Sequence, residues 1–183
     1  MHWPTRHKAS QMLAITLWMT LAGGILPTSA QESAPAASAV LSVAGEIAKA
    51  RAWTLSDLAA LPRVEVTATE KDGTVSTFQG VALAEILKAC GTPFGELLKG
   101  PALGLAVSVI GADGYKAIFS LAEIDPAMNA RQIVLADHLN GAEIPAAAGP
   151  LRLVIPEEKR RARWVRQVIR LEIVRVPAAA EVK

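Results

Sequence analysis

The sequence predicts an α+β domain whose strands are mixed but largely antiparallel, joined by a few short helices. Three observations predict it. Short runs of alternating apolar and polar residues recur, as in RVEVTAT, ALGLAVSVI and VIRLEIVRV. The turn signals Asp72-Gly73, Asp113-Gly114 and Asn140-Gly141 fall between such runs. Only two or three stretches carry helical spacing. With 183 residues, 51% of them apolar and 20% charged, the chain has the composition of one globular domain with a real core.

The N-terminus is set apart from that domain. MHWPTRHKAS is short and basic, QMLAITLWMTLAGGIL is apolar, and PTSA ends in small residues. That is the pattern of a secretory signal peptide over residues 1–30, cleaved after Ala30. A membrane anchor is the alternative, but the run is shorter than the ~20 residues a span needs and is interrupted by Gly23, Gly24 and Pro27. No arginine pair precedes the run, so the expectation is Sec-type export of an unfolded chain, to the periplasm or beyond. QESAPAASAV, residues 31–40, reads as a flexible linker. The domain is expected over 41–176, with a tail at 177–183.

Within the domain, TLSDLAALP reads as a short helix capped by Thr54 or Ser56 and stopped by Pro62. RVEVTAT is a strand with Val64, Val66 and Ala68 on one face, and VSTF is its hairpin partner across Asp72-Gly73. VALAEILKACG, 81–91, is an amphipathic helix with Leu83, Ile86, Leu87 and Cys90 on one stripe and Gly91 as its stop. ALGLAVSVI places Leu103, Leu105, Val107 and Val109 together. YKAIFSL returns with Tyr115, Ala117 and Phe119 on one side. QIVLAD and LRLVIP are buried strands, and VIRLEIVRV sets Ile169, Leu171 and Ile173 against Arg170 and Glu172.

Charge and chemistry exclude several function classes. Arg6 and Lys8 are the only formal charges ahead of Gln31, so the rest of the chain is neutral overall but polarised. Lys159, Arg160, Arg161, Arg163, Arg166, Arg170 and Arg175 crowd into one segment. A neutral, exported domain with few aromatics is not expected to bind nucleic acid. No GxSxG is present, and the turns bring together no serine, histidine and aspartate set for hydrolysis. Cys90 is alone and allows no internal disulfide; with His138 it is too sparse for structural zinc. Cys90 is expected in the core and His138 at the surface.

TLSDLAALP, FQGVALAEILKACG, DGYKAIFSL, VLADHLNGAEIPAAAGPLRLVIP and RARWVRQVIRLEIV, in this order, resemble the molybdopterin-binding domain of the sulfite oxidase family across residues 41–176. The resemblance implies that fold and a pocket for a pterin, with Arg163 and Trp164 at the place of a cofactor-contacting Lys-Trp pair. It also marks departures. The enzymes carry a molybdenum-ligating cysteine on the strand before the FQGVAL segment, and VTATEKDGTVSTFQGVAL has none. The histidine the family tends to place before G-x-P-x-R is missing from PAAAGPLR, where Ala147 stands. The chain is thereby similar to small periplasmic members that bind free reduced pterins and report to a membrane-bound signalling enzyme of cyclic di-GMP metabolism. The implied function is a non-catalytic pterin sensor with no molybdenum. The alternatives are a molybdopterin-dependent oxidoreductase and an adaptor that binds protein and no small molecule.

A pterin needs a plane to stack on, a carboxylate for its paired N–H donors, and cationic donors for its acceptors. Arg160, Arg161, Arg163 and Trp164 offer the plane and the donors; Asp113 and Tyr115 are candidates for the ligand edge. Arg152 lies in an apolar strand and either binds ligand or pairs with Glu123 or Asp137. The plainer reading of the same residues is a core tryptophan, a solvated arginine rim and an ordinary turn aspartate.

Overall fold

The predicted alternation becomes two five-stranded sheets. The structure is a computed structural model and describes residues 38–177. The expected signal peptide, residues 31–37 of the linker and residues 178–183 of the tail lie outside the described residues.

The first sheet joins β1 (Leu41–Gly45), β2 (Arg51–Trp53), β5 (Leu105–Gly111), β6 (Lys116–Ser120) and β10 (Val168–Arg175), in the order β2-β1-β10-β5-β6. The second runs β3 (Arg63–Thr69), β4 (Val75–Ala82), β7 (Val134–Leu139) and β8 (Ala142–Glu143), with β9 (Arg152–Val154) also paired to β7. β1 and β10 are parallel; every other pairing between these strands is antiparallel. The helices are short: α1 (Leu55–Ala59), α2 (Leu83–Ala89) and α3 (Leu121–Ile124). None of the described helices is long and apolar enough to cross a membrane.

Local chemistry fixes the ends. Thr54 caps α1 in a reciprocal box with Asp57, each side chain satisfying the other residue's backbone N–H. Asn140 and Gly141 both take positive φ, 51° and 80°, which is the two-residue turn that lets β7 return as β8. The helix predicted from residue 81 starts later, because Val81 and Ala82 continue β4 beside Leu135 and Val134. Gly80 is required there: a Cβ on it would lie 2.2 Å from the Leu135 carbonyl oxygen, at the point where the β4–β7 register shifts.

Three other expectations change. Leu103 lies in a 3-10 turn, Gly100–Gly104, and is exposed rather than on β5. Tyr115 precedes β6 and is half exposed, while Ala117 and Phe119 point inward as expected. Ile169 faces solvent, because β10 bulges against β5 between Val168 and Arg170. One extra residue moves the inward positions to Val168, Leu171 and Ile173.

Both sheets feed one core that includes Phe78, Val107, Phe119, Leu153 and Leu171, each essentially inaccessible. Cys90 is wholly buried in it, and burial pushes its thiol above the ordinary range.

Candidate functional site

A pocket of about 500 Å³ opens where the β3–β4 turn, the Asp113-Gly114 turn, β9 and the basic segment before β10 converge. It is lined by Glu70, Lys71, Asp113, Tyr115, Ala148, Arg152, Arg161, Ala162, Trp164 and Arg166. Its wall is built on Arg152. β9 carries this arginine into a largely buried position, with its guanidinium 5.3 Å from the Phe78 ring centre and 5.4 Å from that of Trp164. Both Nη atoms donate to Glu70, at 2.8 and 2.9 Å. The partner expected from sequence was Glu123 or Asp137; the structure supplies Glu70, just past the end of β3. Arg152 Nε is buried with no hydrogen-bond partner.

Trp164 serves both core and pocket. It is 6% exposed, meets Phe78 edge-on with ring centres 6.0 Å apart, and donates its indole N–H to the Ile155 carbonyl at 3.2 Å. Arg161 lies 5.7 Å over the same ring and donates from Nε to the Thr69 carbonyl. The tryptophan is thus flanked by two guanidiniums, one paired and one with no ion-pair partner among the described residues. Lys71 and Arg166 add two further cations of the same kind. Set against Glu70 and Asp113, the lining carries a surplus of positive charge.

The sequence-selected residues divide. Arg152, Arg161, Trp164, Asp113 and Tyr115 all line this pocket. Asp113 does so as a turn residue, accepting the Tyr115 backbone N–H at 2.9 Å. Tyr115 donates its hydroxyl to the Ala162 carbonyl at 2.6 Å. Arg160 lies in an adjoining recess of about 420 Å³ with Lys71, Lys159, Arg161 and Ala162. Arg163 is not among the lining residues. It turns to Glu123 and Glu158 and rests 4.5 Å over Phe119, and those hydrogen bonds hold its guanidinium above the usual range. Glu70, Lys71 and Arg166 were missed from sequence. The one signal for Glu70 is its neighbour in a hairpin, and nothing local ties it to a residue 82 positions away.

A second cleft, of about 460 Å³, lies near α1 and the β7–β8 turn. There Arg63 donates to both oxygens of Asp137, at 2.6 and 2.5 Å, and His138 Nδ1 lies 2.7 Å from Asp137 Oδ1. Burial pushes the Asp137 carboxyl up, but the Arg63 and His138 contacts outweigh it and leave it below the ordinary range. His138 sits at the rim of this cleft, half exposed. Among the described residues no group of three or more side chains is placed to hold a metal ion.

A family model described as the oxidoreductase molybdopterin binding domain matches residues 31–181. No curated protein sequence matches the chain. Among solved structures the chain is similar to the sulfane dehydrogenase SoxCD from Paracoccus pantotrophus, at 23% identity and a TM-score of 0.58. The match covers 73% of this chain and 37% of that one, so this chain spans little more than a third of that protein's length. The likeness is one of fold.

Proposed function

Because the chain belongs to the oxidoreductase molybdopterin-binding domain family, matched over residues 31–181, we propose that its cationic pocket takes a pterin and that the protein is an exported, non-catalytic sensor. The observation that carries this reading is the Trp164 ring flanked by Arg152 and Arg161, with the Glu70 carboxylate in the same pocket. A bicyclic heterocycle can lie against that flat, cationic wall. Glu70 has lone pairs left over from Arg152 and can accept the adjacent N–H and amino donors of the pterin edge. The side chains of Lys71, Arg161 and Arg166, which form no ion pair among the described residues, can donate to ring acceptors or to a phosphate.

The organic part of a molybdopterin-type group therefore fits the residues present. Its metal does not: the family's redox centre needs a protein thiolate, and Cys90 is buried in the core, where burial pushes its thiol up, and is absent from the pocket lining. No redox step is assigned to the chain. Binding changes the state of a protein that passes the signal to a partner, a membrane-bound enzyme of cyclic di-GMP metabolism being the kind implied by the sequence resemblance.

Fluorescence titration with a tetrahydropterin, with molybdenum analysis of the same preparation, tests the reading. Saturable binding without stoichiometric metal supports it. Stoichiometric molybdenum makes the protein an oxidoreductase, and a flat titration without metal leaves the protein-binding adaptor.

A further inference from the structure

The residue that most resembles a ligand contact in the sequence, Arg163, is spent on carboxylates that do not line the pocket. Its Nε donates to Glu158 Oε1 at 2.7 Å, and Nη2 bonds the same carboxylate. Nη2 and Nη1 also reach Glu123, at 2.9 and 3.3 Å, and Arg131 Nη1 donates at 2.7 Å to the same Glu123 oxygen that Nη2 meets. Neither Glu123 nor Glu158 lines the pocket.

Two features of this network go beyond a surface ion pair. Glu158 and Arg163 bracket residues 159–162, so their contact joins the two ends of a short loop. That loop supplies Arg161 and Ala162 to the pocket and Lys159 and Arg160 to the recess beside it. The second feature is anchoring on both sides of β6. Tyr115, just before β6, holds the Ala162 carbonyl, and Glu123, in the helix just after β6, holds Arg163. Lys159, Arg160, Arg161 and Arg163 repel one another, and an unanchored loop of this composition spreads into solvent. The carboxylates neutralise the cation at the foot of the loop and leave the others free at its tip.

We propose that Glu123 and Glu158, acting through Arg163, are positioning residues: a latch that pins the loop 159–162 against β6 and so holds Arg161 over Trp164 in the binding geometry. This rests on the pterin reading for its purpose, but the latch can be read without ligand. Arg163→Gln and Glu123→Gln are made, with Arg170→Gln as a control that removes an exposed cation paired to Glu172, outside both the latch and the pocket lining. Each protein is digested briefly with trypsin, the cuts are mapped by mass spectrometry, and tetrahydropterin affinity is titrated.

The two latch variants are expected to be cut about tenfold faster after Lys159, Arg160 and Arg161, with other sites unchanged, and to bind about tenfold more weakly, while the control matches wild type. Cutting at the wild-type rate, or faster cutting spread evenly over the chain as a destabilised fold would give, overturns the latch. If wild-type protein binds no tetrahydropterin, the pterin reading fails on its own, and the trypsin pattern still decides the latch.

Discussion

The second sheet holds two arginine–carboxylate pairs of nearly the same geometry in different surroundings. Arg63 grips Asp137 near the start of β3, and Arg152 grips Glu70 just past its end, each with two hydrogen bonds. Around Arg63 there is no surplus of cations: Asp137 and Glu143 both line the cleft, His138 meets the Asp137 carboxylate, and Leu55, Ser56, Ala59, Ile144 and Pro150 complete it without an aromatic plane. Around Arg152 there is a tryptophan face, an unpartnered Nε and, in Lys71, Arg161 and Arg166, three cations that form no ion pair among the described residues. An ion pair alone does not mark a site. The surplus does: unpaired donors gathered on a flat ring are stable only beside solvent or beside an anionic or acceptor-rich ligand.

The largest expected effect comes from breaking the second pair. Arg152→Gln leaves Glu70 without its ion pair and removes the guanidinium that packs by Phe78 and Trp164; it is expected to cost about 2–3 kcal/mol in denaturant unfolding, somewhat less than a fully buried pair, and to abolish pterin binding. Arg63→Gln, whose arginine is about one-third exposed, is expected to cost only about 1 kcal/mol and to leave binding intact. Loss of binding in both variants would erase the distinction between the clefts.

The Arg63 cleft carries its own pH signature. Asp137 is held below its ordinary range in the folded state, so it stabilises the fold above the unfolded carboxylate value. That contribution is lost as pH falls through the depressed folded value. Stability followed into acid should drop more steeply for wild type than for Asp137→Asn, which lacks the titrating group; equal slopes would contradict the pairing. The smallest effect belongs to the β10 bulge. Ile169→Thr is expected to change stability by less than about 0.5 kcal/mol, because the side chain faces solvent. A loss of 2 kcal/mol or more, on the order of a buried aliphatic truncation, would mean that the uninterrupted alternation read from sequence is correct after all.

What the sequence disclosed and what it hid follow from the range of the interactions. The three turn signals, the Thr54 cap and the Gly91 stop are local chemistry and stand where they were read. Cys90 was legible from helical spacing alone. The bulge was not, because VIRLEIVRV alternates without a visible break and only the β5 partner shows the shift. Glu70 could not be matched to Arg152 for the same reason: the contact closes across 82 residues. The surroundings of Arg163 were hidden too: a cation next to a tryptophan looks like a stacking partner, and only the fold brings Phe119 and two glutamates to it.

On the proposed reading a pterin enters the Arg152 pocket and not the Arg63 cleft. Calorimetric titration of tetrahydropterin into wild type, Arg161→Gln and Arg63→Gln tests it most directly. One-to-one saturation is expected for wild type and Arg63→Gln, with affinity at least about tenfold weaker for Arg161→Gln. No saturable heat with wild type, or equal weakening in both variants, would contradict it.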